Sequence, residues 1–111
     1  MVRIFPRASE EEAVRALLAE ALGLTRAQPG CLGCTVATEF DPPAILYMEI
    51  WQSRNDLMTR LHSAEYAKIL ATMNLSTTKP DISIYEIIDQ RGLEMIETIR
   101  MARHDTERKG R

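Results

Sequence analysis

Apolar residues near the start of the chain follow first a strand pattern and then a helical one. Residues 2–5 form a short apolar run that predicts a first strand. Ser9 followed by Glu12 matches a capping box, in which the serine oxygen accepts a backbone N–H and the glutamate reaches back. Pro29-Gly30 ends the helix that begins there. One apolar face is expected on this helix, made of Val14, Leu17, Leu18, Ala21 and Leu22.

The next apolar positions alternate with a period of two, which is typical of β-strands. Residues 31–40 predict a strand with one face made of Leu32, Cys34, Val36, Thr38 and Phe40. Asp41-Pro42-Pro43 predicts a turn, and residues 44–51 predict a partner strand that ends at Trp51. This partner strand is apolar on both faces, with Ile45 and Tyr47 on one and Leu46, Met48 and Ile50 on the other. Because such a sheet needs a second layer, we expect a homodimer that pairs through the sheet face.

Helical spacing returns after the second of these strands. Ser53 with Asp56 is a second helix-start signal, and a kink or a fresh cap is expected at Ser63. The apolar positions on the two sides of that break are Leu57, Leu61, Tyr66, Ile69, Leu70 and Met73. Lys79-Pro80 then breaks the chain, and residues 82–88 predict a last strand.

These elements follow the order β-α-β-β-α-β, which predicts an α+β, ferredoxin-like fold with an antiparallel four-stranded sheet and both helices on one face. The pattern covers residues 1–88, which we interpret as the main domain. Residues 89–111 form a C-terminal extension, in which Met95, Ile96, Ile99 and Ala102 make an apolar stripe. The stripe predicts an extra helix over residues 93–103, which is too short to be stable alone. We expect residues 104–111 to be frayed.

Composition narrows the class of protein. The chain has 111 residues, of which 45% are hydrophobic, and a net charge of -2, so we expect one globular domain that binds no nucleic acid. No apolar run is long enough to predict a membrane span, and acidic residues come too early for a secretory signal, so a cytoplasmic location is expected. Cys31 and Cys34 form a lone CxxC motif with no further ligand pair, and we interpret them as structural residues rather than a metal site.

Four stretches of the sequence resemble a known family. PGCLG, LYMEIW, SRNDLMTRLHS and ISIYEI are similar to the antibiotic biosynthesis monooxygenase (ABM) domain of the dimeric α/β-barrel superfamily, and the resemblance covers residues 2–88. The resemblance implies a ferredoxin-like subunit, paired sheets in a dimer, and a pocket between sheet and helices. It also implies oxidation of electron-rich phenols, anthrones or quinols by dioxygen with no metal or flavin, and therefore no cofactor.

Three departures from the family narrow this expectation. The haem-degrading branch that this fold resembles has a tryptophan where this chain has Arg60, and an iron-binding histidine where this chain has Leu70. Haem degradation is therefore disfavoured. Many ABM proteins have a histidine at the Arg60 position, whereas the helix histidine here is His62. Polyketide-tailoring members carry asparagine where this chain has Tyr47, which disfavours anthrone oxidation.

The candidate site residues lie on the face that the family assigns to its pocket. Alternation places Tyr47, Glu49 and Trp51 on one face of their strand. Trp51 is then a wall for a planar substrate and Glu49 an acceptor for a phenolic proton, unless Trp51 is core packing and Glu49 is held by an arginine or a backbone donor. The other candidates are His62 for proton transfer, Arg60 for an anionic intermediate, and Tyr66 and Tyr85 as lining residues. Each of these four is also explained as an ordinary surface or half-buried residue.

The leading hypothesis is a cofactor-independent monooxygenase that acts on a small aromatic quinol or phenol. Two other functions stay open: an isomerase or lyase acting on a small oxygenated metabolite, and a non-catalytic ligand-binding dimer. The absence of a compact catalytic motif fits an oxygenase of this kind, because an ionised phenol can pass an electron to dioxygen itself. The same absence fits a protein that only binds.

Overall fold

The computed structural model describes residues 1–109, with side chains described through Ala102; Gly110 and Arg111 lie outside the described residues. The elements, in chain order, are β1 (Val2–Ile4), a 3-10 turn (Ala8–Glu10), α1 (Glu11–Arg26), β2 (Cys31–Phe40), β3 (Pro43–Trp51), α2 (Arg54–His62), α3 (Tyr66–Met73), β4 (Asp81–Ile82) and α4 (Leu93–Lys109). Among these described residues, no helix is both long and apolar enough to cross a membrane.

The four strands form one antiparallel sheet in the order β2-β3-β1-β4. Val2 in β1 lies opposite Tyr47 on one side and opposite Ile82 on the other. The predicted α+β, ferredoxin-like fold is therefore confirmed. The hydrophobic core between the sheet and the helices consists of Val2, Ile4, Val14, Leu18, Cys34, Ile45, Tyr47 and Ile69.

The start of α1 differs from the prediction. Ser9 lies within the 3-10 turn, and α1 begins at Glu11 with no side-chain hydrogen bond at its N-cap. The predicted capping box is therefore wrong. The acidic side chains of Glu11 and Glu12 in the first turn provide the favourable interaction with the positive end of the helix dipole instead.

The second helical region is divided at Ser63, as the sequence predicts. Ser53 caps α2 by accepting the Asp56 N–H at 3.1 Å. Ser63 donates to the Arg60 carbonyl at 2.6 Å and accepts the Tyr66 N–H at 3.3 Å, so the same hydroxyl closes α2 and opens α3.

The last strand is much shorter than predicted. β4 covers only two residues, and residues 83–90 have no regular structure in this chain. Ser83 still exchanges hydrogen bonds of 2.9 Å in both directions with Met1, which is the first residue of the chain.

Several apolar residues placed on buried faces by the sequence are exposed in the single chain, namely Leu17, Leu32, Phe40 and Leu70. Leu32 lies at a β-bulge between Cys31 and Gly33, which breaks the strict alternation of β2. The C-terminal helix is longer than expected: it continues to Lys109 rather than ending at residue 103. The fraying of residues 104–111 stays a prediction. The part of that prediction that falls on Gly110 and Arg111 lies outside the described residues.

Candidate functional site

A buried ion pair lies between the sheet and α2. Glu49 on β3 and Arg60 on α2 are 7% and 4% exposed at their side chains. The Arg60 Nε donates to both carboxylate oxygens of Glu49 at 3.2 Å, and Nη2 donates to Oε2 at 2.9 Å. Because an unpaired charge at this depth costs several kcal/mol, each residue requires the other. Glu49 is therefore held by an arginine, which is one of the alternatives that the sequence leaves open.

Two further side chains of β3 donate hydrogen bonds to the same carboxylate. The Trp51 Nε1 donates to Oε1 at 2.9 Å, and the Tyr47 hydroxyl donates to Oε2. These contacts follow from the alternation of the strand, which places residues 47, 49 and 51 on the face that meets the helices. Glu49 is therefore an acceptor for three different side chains, and its oxygens are committed to fixed donors.

Thr25 of α1 gives Arg60 a further hydrogen-bond partner. The Arg60 Nη2 donates to Thr25 Oγ1 at 3.0 Å, and Thr25 donates its own hydroxyl proton to the Ala21 carbonyl at 2.8 Å. Thr25 was missed at the level of sequence. Its signal was its position on the apolar face of α1, one turn beyond Ala21, where a hydroxyl needs a buried partner.

Aromatic rings flank the same guanidinium. The Arg60 Cζ lies 5.6 Å from the centre of the Tyr66 ring and 6.0 Å from the centre of the Trp51 ring. Both distances are within the range of favourable cation–π contact. We call Thr25, Tyr47, Glu49, Trp51, Arg60 and Tyr66 the Arg60 cluster.

Burial and charge shift the pKa values in and around this cluster. Burial raises the pKa of the Tyr47 hydroxyl far above its ordinary value, and the contacts with Cys34 and Glu49 raise it further. Burial likewise raises the pKa of Tyr66 and of the Cys34 thiol. Burial by itself lowers the pKa of Arg60, but the hydrogen bonds and charge of Glu49 outweigh it and the net shift is upward. At neutral pH the cluster therefore holds a cation and neutral phenols.

A small pocket opens beside the cluster at the N-terminal side of β2. Its volume is about 60 Å³, and its lining residues are Gln28, Pro29, Trp51, Asp56, Thr59, Arg60 and Ser63. An indole ring, a guanidinium and the Asp56 carboxylate thus lie around one small space, which suits a small planar group. Among the described residues, no three His, Cys, Asp or Glu side chains lie together in a way that could hold a metal ion.

The structure gathers five of the seven candidate residues into one cluster, and it leaves two outside. Tyr47, Glu49, Trp51, Arg60 and Tyr66 are in contact with one another. His62 is exposed at the end of α2, with its Nδ1 2.7 Å from the Met58 carbonyl of its own helix. Tyr85 is 70% exposed in the irregular segment after β4. Neither His62 nor Tyr85 therefore belongs to the Arg60 cluster of the single chain.

A family model describes most of this arrangement. The antibiotic biosynthesis monooxygenase model matches residues 1–72, from β1 to near the end of α3, and so includes the whole Arg60 cluster. The chain belongs to the ABM family. The ABM match ends before β4 and α4, so the C-terminal part of the chain lies outside it. No curated protein matches the sequence.

Solved structures agree with the ABM fold. Rv0793 from Mycobacterium tuberculosis is 25% identical with a TM-score of 0.72, over 82% of this chain and 94% of that one. A protein of unknown function from Nitrosomonas europaea, NE2512, is 22% identical with a TM-score of 0.66, over 81% and 87% of the two chains. A crystal structure described as an antibiotic biosynthesis monooxygenase is 16% identical with a TM-score of 0.68, over 79% and 95%. The last two similarities concern the fold alone.

Proposed function

We propose that this ABM protein is a cofactor-independent monooxygenase that oxidises a small aromatic quinol or phenol with dioxygen. The observation that carries the proposal is the position of Arg60, a buried cation that shares a pocket wall with the Trp51 ring. A positive charge beside an aromatic surface stabilises a phenolate more than the neutral phenol, and the phenolate is the form that passes an electron to dioxygen.

The proposed reaction balances without any other reactant. A quinol and dioxygen give a hydroxyquinone and one water: one oxygen atom forms a new bond to a ring carbon, whose hydrogen is lost, and the other leaves as water. The ring supplies all the electrons that reduce both oxygen atoms. Three hydrogens leave their original positions, two from the quinol hydroxyls and one from the ring carbon. Two of them end in water and one in the new hydroxyl group of the product. The protein therefore has to bind the ring, favour its anion and keep water out.

Glu49 has a different role in this proposal from that of a general base. Its two oxygens already accept hydrogen bonds from Tyr47, Trp51 and Arg60, so it has little capacity to take a substrate proton. We assign it the role of positioning Arg60 and Trp51. The phenolic proton then goes to solvent, and we expect the rate to rise with pH as more of the substrate ionises.

The pocket has to widen to admit a ring. A cavity of about 150 Å³ holds one benzene molecule, whereas the pocket beside Arg60 measures about 60 Å³. Gln28 at its rim is half-buried and Thr59 is exposed, so both can move without disturbing the core. The small volume also favours a second candidate function, a dimer that binds a small ligand without catalysis.

Two chains are part of the proposal. Leu46, Met48 and Ile50 on the outer face of β3 are only half-buried, and pairing of two sheets would cover them.

Oxygen consumption with a panel of hydroquinones tests the activity. We expect uptake above the rate of spontaneous oxidation, lost in Trp51→Ala and kept in Arg54→Ala, an exposed change on the same helix as Arg60. Trp51 is the only tryptophan, so its fluorescence reports binding directly. Quenching by quinols with no oxygen uptake would favour the binding function. Neither quenching nor uptake with quinols, from a folded protein, would contradict the proposed oxygenase activity.

A further inference from the structure

Two residues of α2 that line the pocket beside the Arg60 cluster carry opposite charges. Asp56 and Arg60 are four positions apart, so their side chains leave the helix on the same face, with the Cβ atoms about 5–6 Å apart. A pair at this spacing commonly forms a salt bridge. In the part of the chain that the structure describes, however, Arg60 pairs with Glu49, and Asp56 forms no ion pair. The two charges therefore line the same space without neutralising each other.

The guanidinium of Arg60 keeps donors for a ligand. Its Nε and Nη2 donate to Glu49 and Thr25, whereas Nη1 donates to no acceptor among the described residues. No side-chain nitrogen or oxygen of these residues is both buried and without a partner, so Nη1 reaches the accessible surface. Since the Arg60 side chain is 4% exposed and lines the pocket, the two N–H groups of Nη1 can donate to an oxygen atom that enters there.

The carboxylate of Asp56 supplies the complementary acceptor. Its Oδ2 accepts the Ser53 hydroxyl at 2.9 Å, and its Oδ1 accepts no hydrogen bond from a described residue. The carboxylate lies against Gly30, where an added Cβ would come within 2.5–2.8 Å of it. Ser53 and the close approach to Gly30 therefore hold the carboxylate in place, and the free oxygen remains for a ligand of the pocket.

A free donor group and a free acceptor around one space favour a ligand with two hydroxyl groups. One hydroxyl oxygen can accept from Nη1 of Arg60, and this is the oxygen whose anion the guanidinium stabilises. The second hydroxyl can donate to Oδ1 of Asp56, and a hydrogen bond to a charged acceptor is stronger than one to a neutral acceptor. A ring with a single hydroxyl satisfies only one of these two groups, and a site built for a hydroxyl rejects the analogue that lacks it.

We propose that Asp56 determines the specificity of the pocket, by accepting a hydrogen bond from the second hydroxyl of a dihydroxylated ring whose first oxygen lies at Arg60. The proposal rests on the proposed function only in taking an aromatic ring as the ligand, and it requires no reaction with dioxygen. Asp56 is held by Ser53 and Arg60 by Glu49, so both polar groups stay in place while the rim of the pocket widens to admit the ring.

Calorimetric titration of the full chain under nitrogen tests the proposal, because binding is then measured apart from oxidation. The two probes are hydroquinone, which has two hydroxyl groups, and phenol, which has one. The wild-type chain is expected to bind hydroquinone at least about tenfold more tightly than phenol. In Asp56→Ala the two affinities should come within about threefold of each other, through a loss of affinity for hydroquinone and not through a gain for phenol.

Two further variants separate a role in specificity from a role in folding. Asp56→Asn keeps an acceptor oxygen and nearly the same shape, so its ratio of affinities should lie between those of the wild type and Asp56→Ala. It also decides the question if Asp56→Ala does not fold. Asn55→Ala is the matched control, because this exposed neighbour on α2 does not line the pocket, and its ratio should equal that of the wild type.

The ratio of the two affinities decides the outcome. Equal affinities in the wild-type chain, or no binding of either probe, would overturn the proposal. A loss of affinity for both probes by the same factor in the Asp56 variants would overturn it as well, because Asp56 would then only support the fold of α2. Oxygen uptake is a separate measurement: a tenfold preference without uptake supports the role of Asp56 and contradicts the oxygenase, and uptake with equal affinities does the reverse.

Discussion

The side chains of Glu49 and Arg60 share three hydrogen bonds across the gap between β3 and α2, and more than nine tenths of each is buried. Every other polar member of the cluster contacts one of these two residues. A buried pair of this kind contributes less to net stability than its geometry suggests, because desolvation offsets most of the attraction. Its main consequence is that the position of the guanidinium is set by the fold.

Breaking the pair on one side is expected to be costly. Glu49→Gln leaves the Arg60 charge buried without a counter-charge and should lower the free energy of unfolding by about 3–5 kcal/mol. The double variant Glu49→Gln with Arg60→Met should recover most of that loss, because it removes both charges. Urea denaturation followed by circular dichroism measures all three proteins. As a control, Asp89→Asn breaks the exposed pair with Arg91 and should cost about 0.5 kcal/mol or less. Equal losses in the single and double variants would contradict this account.

Thr25 is expected to matter for both stability and the site. Thr25→Val keeps the shape of the side chain but removes the acceptor for the Arg60 Nη2, which should cost about 1–3 kcal/mol. Thr72→Val is the comparison, because Thr72 is equally buried but donates only to the Ile69 carbonyl of its own helix. The loss of stability should be smaller in Thr72→Val than in Thr25→Val. Thermal unfolding of the two variants measures both losses of stability. A larger loss in Thr72→Val would show that the hydrogen bond between Thr25 and Arg60 contributes little.

Alkaline pH is expected to destabilise the folded protein. Burial raises the pKa of the Cys34 thiol above its ordinary value of 9.0, and that of Tyr47 above 10.0. Between the unfolded and folded pKa values the unfolded chain has released these protons and the folded chain has not, so the unfolded state binds fewer protons and stability falls as pH rises. The contribution is fully present below about pH 9 and is lost progressively above it.

Tyr47→Phe provides the test of that pH dependence. The variant removes one of the raised groups, so its denaturation midpoint should fall less steeply between about pH 9 and pH 11 than that of the wild type. Its stability at neutral pH will be lower, since the hydrogen bond to Glu49 is lost, so the slopes and not the absolute values are compared. Parallel slopes for the two proteins would contradict the assignment to Tyr47.

Substitution by alanine should lower the stability of the protein at Gly30 and raise it at Gly23. Gly30 has a φ of +84°, and a Cβ placed there would lie 2.5–2.8 Å from the carboxylate atoms of Asp56. Gly30→Ala should therefore destabilise the fold by more than about 1 kcal/mol and disturb the pocket, which Asp56 lines. Gly23 lies within α1, and a Cβ placed there would meet no atom within 4 Å other than neighbouring atoms of its own helix, so Gly23→Ala should stabilise the fold by about 0.5–1 kcal/mol. Differential scanning calorimetry measures both shifts.

The local elements of this protein follow from the sequence because their causes are local. The alternation of residues 44–51, the cap at Ser53 and the break at Ser63 all depend on neighbours within four positions, and all three are confirmed. The same reasoning placed Tyr47, Glu49 and Trp51 on one face, since successive residues of a strand point to opposite sides. The capping box at Ser9 was wrong because Ala8–Glu10 forms a 3-10 turn, and α1 starts at Glu11 instead.

Relationships between distant parts of the chain were decided by the tertiary structure alone. The sequence does not specify that Arg60 reaches Glu49 and Thr25, because this depends on how α1 and α2 pack on the sheet. The length of β4 was likewise decided by pairing: residues 82–88 have the composition of a strand, but β4 covers only Asp81–Ile82, where it lies opposite β1. The composition of a segment permits a strand, but the strand forms only where its backbone is hydrogen-bonded to a neighbouring strand.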